Sequence, residues 1–271
     1  MTDSLPDSLS SGSLPSFKKP PINEVVCGMR FHTPAKLRLP HIGFLWDKLR
    51  KDYPTIQHAP PIASAKGELQ VDEATGLPLQ RVWFINERDD QLVQFQFDRF
   101  YFNWRRRKDD YPRYSHVISN FEHLLNNVKA LFSEFQLGEL KPVEYELGYI
   151  NHIPKGQGWN TTKDLRKVFS DFVWRQRSKR FLPGPVNLAW RTEFPLPDGK
   201  GNMAVSLKQA IRTEDKIPLI VLDLTARGLG EPKSMEAFRE WFDTAREWIV
   251  RGFADLTTDE AQRVWEREQD A

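Results

Sequence analysis

The sequence of 271 residues contains one cysteine, Cys27, and no long apolar run. A disulfide within the chain is therefore impossible, and a zinc site built from cysteines is not expected. The longest apolar run, Leu219 to Leu222, is far shorter than the ~20 residues that a membrane-spanning helix needs. The N-terminal segment lacks the basic start and the apolar centre of a secretory signal. We expect a soluble cytoplasmic protein that does not bind membranes.

The common sequence motifs of enzymes are also absent. The chain has no GxxxxGK[ST], GxGxxG, HExxH or GxSxG pattern. Pro197-Asp198 and the segment 214–216 carry the letters of a PD-(D/E)xK nuclease, but they fall in successive turns of a predicted meander, which lie at opposite ends of a sheet. His32 and His152 have no further ligands at metal-binding spacing. We expect no metal, no cofactor and no catalytic residue, and an enzyme with an unrecognised active site stays a third hypothesis.

Aromatic residues and charges are what the sequence has in quantity. Aromatics make up 12% of the chain, including 18 Phe and 9 Trp, which is enough for a packed core. The 39 basic and 37 acidic residues nearly cancel, so the protein as a whole has no field that would attract nucleic acid. Their distribution is uneven: residues 1–230 hold 33 basic and 26 acidic side chains, and residues 231–271 hold 6 and 11. This distribution predicts a basic body and an acidic end.

Hydrophobic periodicity predicts a regular order of strands and helices. Residues 1–19, rich in Ser, Pro and Asp, are expected to be a disordered arm. The first half then reads as a strand over 22–31, a helix from Pro40, a long loop with a short strand over 55–79, strands over 81–87 and 92–104, and a helix over 115–135. The second half reads as a strand over 143–151, a helix capped by Thr161 or Thr162, a hairpin of 187–194 and 203–212, a strand over 217–225, a helix from 234 and a short helix with a capping box at Thr257 and Glu260.

The two halves repeat one another at a shift of 120 residues. Ungapped, this shift superposes Glu24, Gly28, His32 and Pro34 on Glu144, Gly148, His152 and Pro154. It also superposes Phe100, Phe102 and Trp104 on Ile220, Leu222 and Leu224. The repeat predicts a duplicated α+β unit, with a first repeat over 20–139, a second over 140–256, and a short helix and tail over 257–271.

Two such units related by a pseudo-twofold axis would form a curved antiparallel sheet with long helices on one face. This arrangement is that of the TATA-binding-protein or helix-grip class, an analogy of fold that implies nothing about DNA binding. The alternative divides the chain near residue 155 into a ferredoxin-like first part and a separate C-terminal α+β module.

Four strings in the sequence resemble a known family. They are PPINEVVCGMRF, LPHIGFLWDKLRKDYP, QLVQFQFDRFYFNWRRRKDDYPRYSHV and FREWFDTAREWIVRGFADLT. They are similar to a sporadically distributed bacterial family of uncharacterised function, and the similarity runs from about residue 20 to 268. The resemblance implies a bacterial globular protein. It transfers no activity, cofactor or site residue.

Basic clusters that follow tryptophans are one candidate site. Guanidinium groups bind phosphate bidentately, and aromatic rings between them can stack on bases. The first cluster would form the rim of a binding groove and consists of Trp104, Arg105, Arg106, Arg107, Lys108, Tyr111, Arg113 and Tyr114. The second spans residues 175–180. The alternative is an ordinary charged surface in which the first cluster pairs with Asp109, Asp110 and the acidic C-terminal helix.

Polar residues within the strand predicted over 92–104 are the other candidate site. Apolar residues alternate on odd numbers up to Phe97 and on even numbers from Phe100, which predicts a bulge or a change of layer near Asp98. Arg99, Tyr101 and Asn103 would then face a polar pocket. A buried arginine needs a carboxylate, which Glu24 or Glu144 would supply, and the alternative is a polar network that only braces the strand.

Together these patterns predict a non-enzymatic binding or interaction protein that presents a sheet groove to a partner. From the sporadic distribution of the family, we expect the partner to be a protein encoded nearby, as in bacterial toxin–antitoxin or phage-defence modules. The alternative function is the binding of nucleic acid or nucleotides through the clusters at 105–113 and 175–180.

Overall fold

The computed structural model describes residues 12–63, 80–108, 110–172, 181–229 and 235–268, and single positions 69, 71, 76 and 78. Nine strands form one sheet in this part of the chain: β1 (Ile22–Phe31), β2 (Thr55–Ala59), β3 (Arg81–Ile85), β4 (Gln91–Gln96), β5 (Arg99–Arg105), β6 (Pro142–Pro154), β7 (Ala189–Pro195), β8 (Asn202–Ile211) and β9 (Pro218–Gly228). The helices are α1 (Leu39–Leu49), α2 (Tyr114–Glu134), α3 (Met235–Leu256) and α4 (Asp259–Val264), with short 3₁₀ helices at Thr162–Lys167 and Pro197–Gly199. The predicted α+β class is confirmed.

The strand order places the first strand of each half at the centre of the sheet. It runs β2-β3-β4-β5-β1-β6-β9-β8-β7, and every pair is antiparallel. Because β9 pairs with β6, the sheet continues across residue 155, and the C-terminal part of the chain is not a separate module.

The register of the two central strands is symmetric. Cys27 of β1 pairs with Leu147 of β6, and the flanking pairs are Gly28 with Glu146 and Val26 with Gly148. At the shift of 120, Cys27 is thus opposite its own counterpart, and Val26 and Gly28 are each opposite the counterpart of the other.

The same shift is wrong for β5 and β9. Cys27 pairs with Phe102 on β5, whereas Leu147 pairs with Ala226 on β9. The counterpart of Phe102 by position in the sheet is therefore Ala226, four residues beyond the Leu222 that the ungapped shift selects. A strand can slide by an even number of residues and still keep its apolar face, so the hydrophobic pattern does not reveal such a slip.

The strand predicted over 92–104 is two strands. β4 ends at Gln96, β5 begins at Arg99, and these two residues pair across a turn at Phe97 and Asp98. The change from odd to even apolar positions is therefore the result of a two-residue hairpin and not of a bulge or a change of layer.

The core lies between the sheet and the helices α2 and α3. The ring of Phe121 on α2 stacks on Phe100 of β5 and on Phe238 of α3, and Tyr145 of β6 packs against Trp241 of α3. The two long helices therefore cover the same face of the sheet, one over each half. None of the helices in the described ranges has the length and apolarity needed to cross a membrane.

Several ends of elements differ from the prediction. Residues 12–19 of the supposed disordered arm are ordered, because Phe17 is buried against Phe253 and Lys18 donates from its backbone N–H to the carbonyl of Glu266. Residues 1–11 lie outside the described residues. The short last helix is capped by Thr258 and not by Thr257, whose hydroxyl donates to the carbonyl of Phe253 and is buried. Thr161 caps a short 3₁₀ helix, and the α-helix predicted at this position does not form.

Candidate binding site on the open sheet face

The side chains of β5 divide between the two faces of the sheet. Phe100, Phe102 and Trp104 point toward the helices and belong to the core. Because successive residues of a strand alternate, Arg99, Tyr101 and Asn103 point to the opposite, open face. All three are nevertheless buried. Burial on a face that the described helices do not cover indicates a structured polar site.

The chain after β2 crosses over this open face. The backbone N–H of Ile62 donates to Oε1 of Gln96 at 2.9 Å, and Nε2 of Gln96 donates back to the carbonyl of Ile62 at 3.2 Å. Ile62 and Ala63 thereby become a wall above the strands. This segment belongs to the long loop that the sequence predicts over 55–79.

A cavity of about 590 Å³ lies between this wall and the strands. Its lining brings together all five residues that the sequence assigns to a polar pocket: Glu24, Arg99, Tyr101, Asn103 and Glu144. The volume is within the range of sites for small ligands. The sequence analysis missed the other charged lining residues: Arg30, Arg81, Glu146, Arg191 and Arg227. Strand parity could have identified Arg30, since it lies two residues beyond Gly28 on β1.

A chain of side-chain hydrogen bonds crosses four strands at the base of the cavity. Nη1 of Arg81 donates to Oε1 of Gln94 at 3.1 Å, and Nε2 of Gln94 donates to Oδ1 of Asn103 at 2.7 Å. Nδ2 of Asn103 then donates to Oε1 of Glu24 at 2.6 Å. The indole of Trp83 gives Gln94 a second donor at 3.0 Å. Each amide is therefore fixed in orientation by a donor on one side and an acceptor on the other.

The prediction that Glu24 or Glu144 pairs with the buried Arg99 is wrong. Arg99 forms a bidentate pair with its neighbour Asp98, with both N···O distances at 2.9 Å, and contacts neither Glu24 nor Glu144. The hairpin turn is the physical reason, since it places Asp98 beside the first residue of β5. Glu144 instead accepts from Nη1 of Arg30 at 3.4 Å.

A second ion pair lies toward the other half of the sheet. Nε of Arg227 donates to Oε2 of Glu146 at 2.7 Å, and the hydroxyl of Tyr101 lies 3.5 Å from the same oxygen. Burial and the charge of Glu146 raise the pKa of Tyr101, so the phenol stays protonated and is a donor.

Two lining groups have no partner of opposite charge within hydrogen-bond distance among the described residues. Glu24 accepts from the neutral amide of Asn103, and burial raises the pKa of its carboxyl above the ordinary value. Arg81 donates to the neutral amide of Gln94 and lies 5.3 Å from the ring of Trp83. Burial and the like charge of Arg99 lower the pKa of Arg81. The cavity therefore has a cationic and an acidic group at opposite ends of one hydrogen-bond chain.

No residue of the basic rim cluster lines this cavity, although Arg105 is opposite Glu24 in the register of β5 and β1. Most of the charged side chains of the cluster are paired. Arg105 and Arg107 both bind the carboxylate of Asp89, the latter at 2.8 Å. Arg106 donates to the carbonyl of Pro20 at 3.1 Å and lies 3.9 Å from Asp110. The predicted pairing with Asp110 is thus weak. Arg105 and Arg107 pair with Asp89 and not, as predicted, with the C-terminal helix. Asp109 lies outside the described residues. Lys108 is exposed.

The aromatic members of the rim cluster are not available for stacking on a base. Trp104 and Tyr114 are buried on the helix side, and the hydroxyl of Tyr114 donates to Oδ1 of Asp243 on α3 at 2.7 Å. The hydroxyl of Tyr111 shares a hydrogen bond of 2.9 Å with that of Tyr149. Arg113 holds the N-terminal segment through the carbonyl of Phe17 at 3.2 Å. The second basic cluster, 175–180, lies outside the described residues.

The remaining candidates do not converge on a site. The turn at 197–199 precedes β8 and the turn at 212–217 follows it, so the two turns lie at opposite ends of this strand, as the meander requires. His32 and His152 adjoin opposite ends of the central strand pair. Cys27 is fully buried, and burial raises the pKa of its thiol. The described residues include no cluster of three or more His, Cys, Asp or Glu that is placed to hold a metal ion.

Comparison with known proteins adds no relative. No family model, no curated protein and no solved structure matches the chain.

Proposed function

We propose that the protein is a non-enzymatic binding protein and that the open face of its sheet is the binding surface. The observation that carries this proposal is the polar cavity between Ile62 and the strands. Its polar groups are held by one another before any ligand arrives, through the chain from Arg81 to Glu24. Such preorganisation reduces the entropy cost of binding and favours recognition.

We further infer that the sheet arose from two copies of one α+β unit, in the manner of the TATA-binding-protein or helix-grip class. The symmetric pairing of Cys27 with Leu147 and the mirrored strand order support a pseudo-twofold axis between β1 and β6. On this view the axis meets the open face beside the cavity, because the pair of Gly28 and Glu146 lies next to the axis and Glu146 lines the cavity. The cavity would thus lie near the middle of the sheet.

For the partner we propose a protein encoded near this gene, as in a bacterial defence or toxin–antitoxin module. The support is the resemblance of the four sequence strings to a sporadically distributed bacterial family. Within the described part of the chain, the rim cluster does not favour the alternative of nucleic acid, since Arg105 and Arg107 are paired with Asp89 and the rings of Trp104 and Tyr114 are buried.

Affinity purification of the full chain from its native cells tests this function. Wild type would be compared with Arg227→Gln, in which a charge of the open face is removed, and with Arg50→Gln directly after α1. Arg50 is a matched control because it loses the same charge from an exposed site on another part of the surface. We expect one protein to be captured by wild type and by Arg50→Gln and to be reduced about tenfold with Arg227→Gln.

Equal capture by all three forms would overturn the open face as the binding surface. Capture of no specific protein would overturn the protein partner. Nucleic acid that is recovered only at low salt would favour the alternative function, since phosphate contacts weaken steeply with salt. Circular dichroism of each variant checks that the fold is retained.

A further inference from the structure

Three arginines of the cavity lie in one row across the open face. Arg30 of β1 is opposite Arg99 of β5, and Arg99 is opposite Gln96 of β4. Arg81 of β3 lies one residue beyond the pair of Val82 with Phe95, which places it beside Gln96. Strands are spaced by about 4.8 Å, so the row crosses roughly 14 Å from Arg81 to Arg30.

The three arginines differ in how well carboxylates neutralise their charge. Arg99 is satisfied by the bidentate carboxylate of Asp98. Arg30 has one carboxylate contact, a long one of 3.4 Å to Glu144, and its Nε is buried without a hydrogen-bond partner among the described residues. Arg81 has only the neutral amide of Gln94, and its Nε is likewise buried without a partner in the described part of the chain.

A buried guanidinium donor without an acceptor is costly, and an oxyanion is the group that best satisfies it. The planar fork of arginine matches phosphate and carboxylate oxygens in particular. The like charge of Arg99 adds to the positive potential at Arg81, and burial together with this charge lowers the pKa of Arg81. Both incompletely paired arginines line the same cavity, so one ligand can reach them.

We infer that the cavity binds a small polyanionic molecule, with one phosphate or carboxylate group on Arg81 and a second on Arg30. This inference rests on the proposed function, in which the open face is the binding surface, and adds a small-molecule ligand at that face. The cavity volume of about 590 Å³ accommodates such a molecule. Glu24, at the other end of the hydrogen-bond chain, would accept from a hydroxyl or amino group of the same ligand.

Calorimetric titration of the purified full chain tests the anion site. The probes are tripolyphosphate and ATP for phosphate groups, and citrate for carboxylates, in a buffer of about 20 mM ionic strength so that screening is small. We expect at least one probe to bind wild type. Arg81→Gln should weaken its Kd at least about tenfold, because a charge-assisted hydrogen bond is lost, and Arg30→Gln should weaken it by a smaller factor.

Arg50→Gln directly after α1 is the matched control, since it removes one positive charge at a residue that does not line the cavity, and its Kd should stay within about twofold of wild type. Selective binding of the phosphates or of citrate identifies the oxyanion, and either result supports the site. Absence of binding by all three probes at about 10 mM, or equal weakening by Arg81→Gln and Arg50→Gln, would overturn it.

The failure of this site is distinguishable from the failure of the proposed function. If no anion binds while Arg227→Gln still abolishes capture of a protein partner, the anion site is wrong and the open face remains the binding surface. If anions bind through Arg81 and no variant affects capture, the protein partner binds elsewhere. The thermal midpoint of each unliganded variant shows whether the substituted protein is folded.

Discussion

The ring of Tyr101 occupies the space that a side chain at position 28 would need. A Cβ atom on Gly28 would lie 2.0 Å from Cδ1 of Tyr101 and 2.1 Å from Cε1. The two residues are opposite one another on β5 and β1. The glycine thus lets the tyrosine ring extend across β1, and the hydroxyl comes within 3.5 Å of Glu146 on β6. Because position 28 has no side chain, Tyr101 of β5 can lie over β1 and reach Glu146 of β6.

Gly28→Ala should therefore destabilise the protein, by about 1–3 kcal/mol, since the ring must leave its position or the strands must separate. Urea unfolding measures the loss. In the background of Tyr101→Ala the same substitution should cost much less, and this double-mutant cycle isolates the contact. Gly43→Ala on α1 is the control, because its Cβ would meet nothing within 4 Å. That substitution should stabilise the helix by roughly 0.5–1 kcal/mol. Equal costs of Gly28→Ala in both backgrounds would contradict the contact.

Asn103→Ala should break the hydrogen-bond chain at the base of the cavity. Glu24 then loses its donor and Gln94 loses its acceptor, both in partly or fully buried positions. Leaving such groups unsatisfied costs about 1–3 kcal/mol. Chemical denaturation measures the difference, and Asn202→Ala at an exposed position of β8 is the matched control, expected to change stability by less than about 0.5 kcal/mol. A cost for Asn103→Ala as small as that of the control would mean that the chain contributes no stability.

The carboxyl of Glu24 makes stability depend on pH. Its pKa in the folded protein is raised by burial above the ordinary 4.5. The folded state therefore binds the proton more tightly than the unfolded chain. The contribution of Glu24 is most favourable below that value and is lost as the pH rises through the raised pKa. Glu24→Gln keeps an oxygen acceptor for Asn103 and removes the titration. Its free energy of unfolding relative to wild type should therefore increase as the pH rises through this window.

Urea unfolding of both forms at a series of pH values measures this dependence. Glu240→Gln is a control of opposite sign, because the ion pair with Lys200 lowers the pKa of Glu240. The stability that Glu240 contributes is present above its unfolded pKa and is lost as the pH falls through the folded one. A difference between Glu24→Gln and wild type that is constant over the whole range would show that the pKa of Glu24 is not raised.

Phe17 should contribute to stability although it lies in a segment with the composition of a disordered arm. Its ring is buried and packs edge-to-face on Phe253 at 5.4 Å between centroids. Phe17→Ala should cost about 3 kcal/mol, the lower end for a phenylalanine of a core. Leu39→Ala, at a residue that is 60% exposed, should cost less than about 0.5 kcal/mol. Thermal and urea unfolding of the two variants decide between a packed and a free segment.

The sequence predicts the strands, the long helices and the open-face position of Arg99, Tyr101 and Asn103 because these depend on local periodicity. Glu24 and Glu144 also line the cavity, but the sequence analysis includes them as partners of Arg99, which pairs with Asp98. The parity of Arg99, Tyr101 and Asn103 opposite Phe100 and Phe102 is sufficient to place them on the face away from the core. The same parity also places Trp104 in the core, and this conflicts with its assignment to an exposed rim. Parity therefore separates Trp104 from the pocket, but it places Arg105 on the same face as Arg99, opposite Glu24.

The features that could not be predicted depend on the lengths of turns, the register between strands and the order of strands. Hydrophobic periodicity carries no information on these. A two-residue turn brings Asp98 beside Arg99, and so the carboxylate partner is a neighbour and not Glu24 or Glu144. The relative slip of β5 and β9 by four residues keeps both apolar faces and leaves no trace in the pattern. Arg81 joins the cavity only because β3 lies two strands from β5.

The central position of β1 has a consequence for synthesis of the chain. β1 is made first, yet its neighbours in the sheet are β5 and β6, and Leu147 follows its partner Cys27 by 120 residues. Both backbone edges of β1 therefore stay unpaired on the ribosome while most of the first half is translated. Contacts of this range close slowly and expose strand edges to aggregation. Translation speed and chaperones should consequently affect the yield of this protein more than that of a protein built from local hairpins.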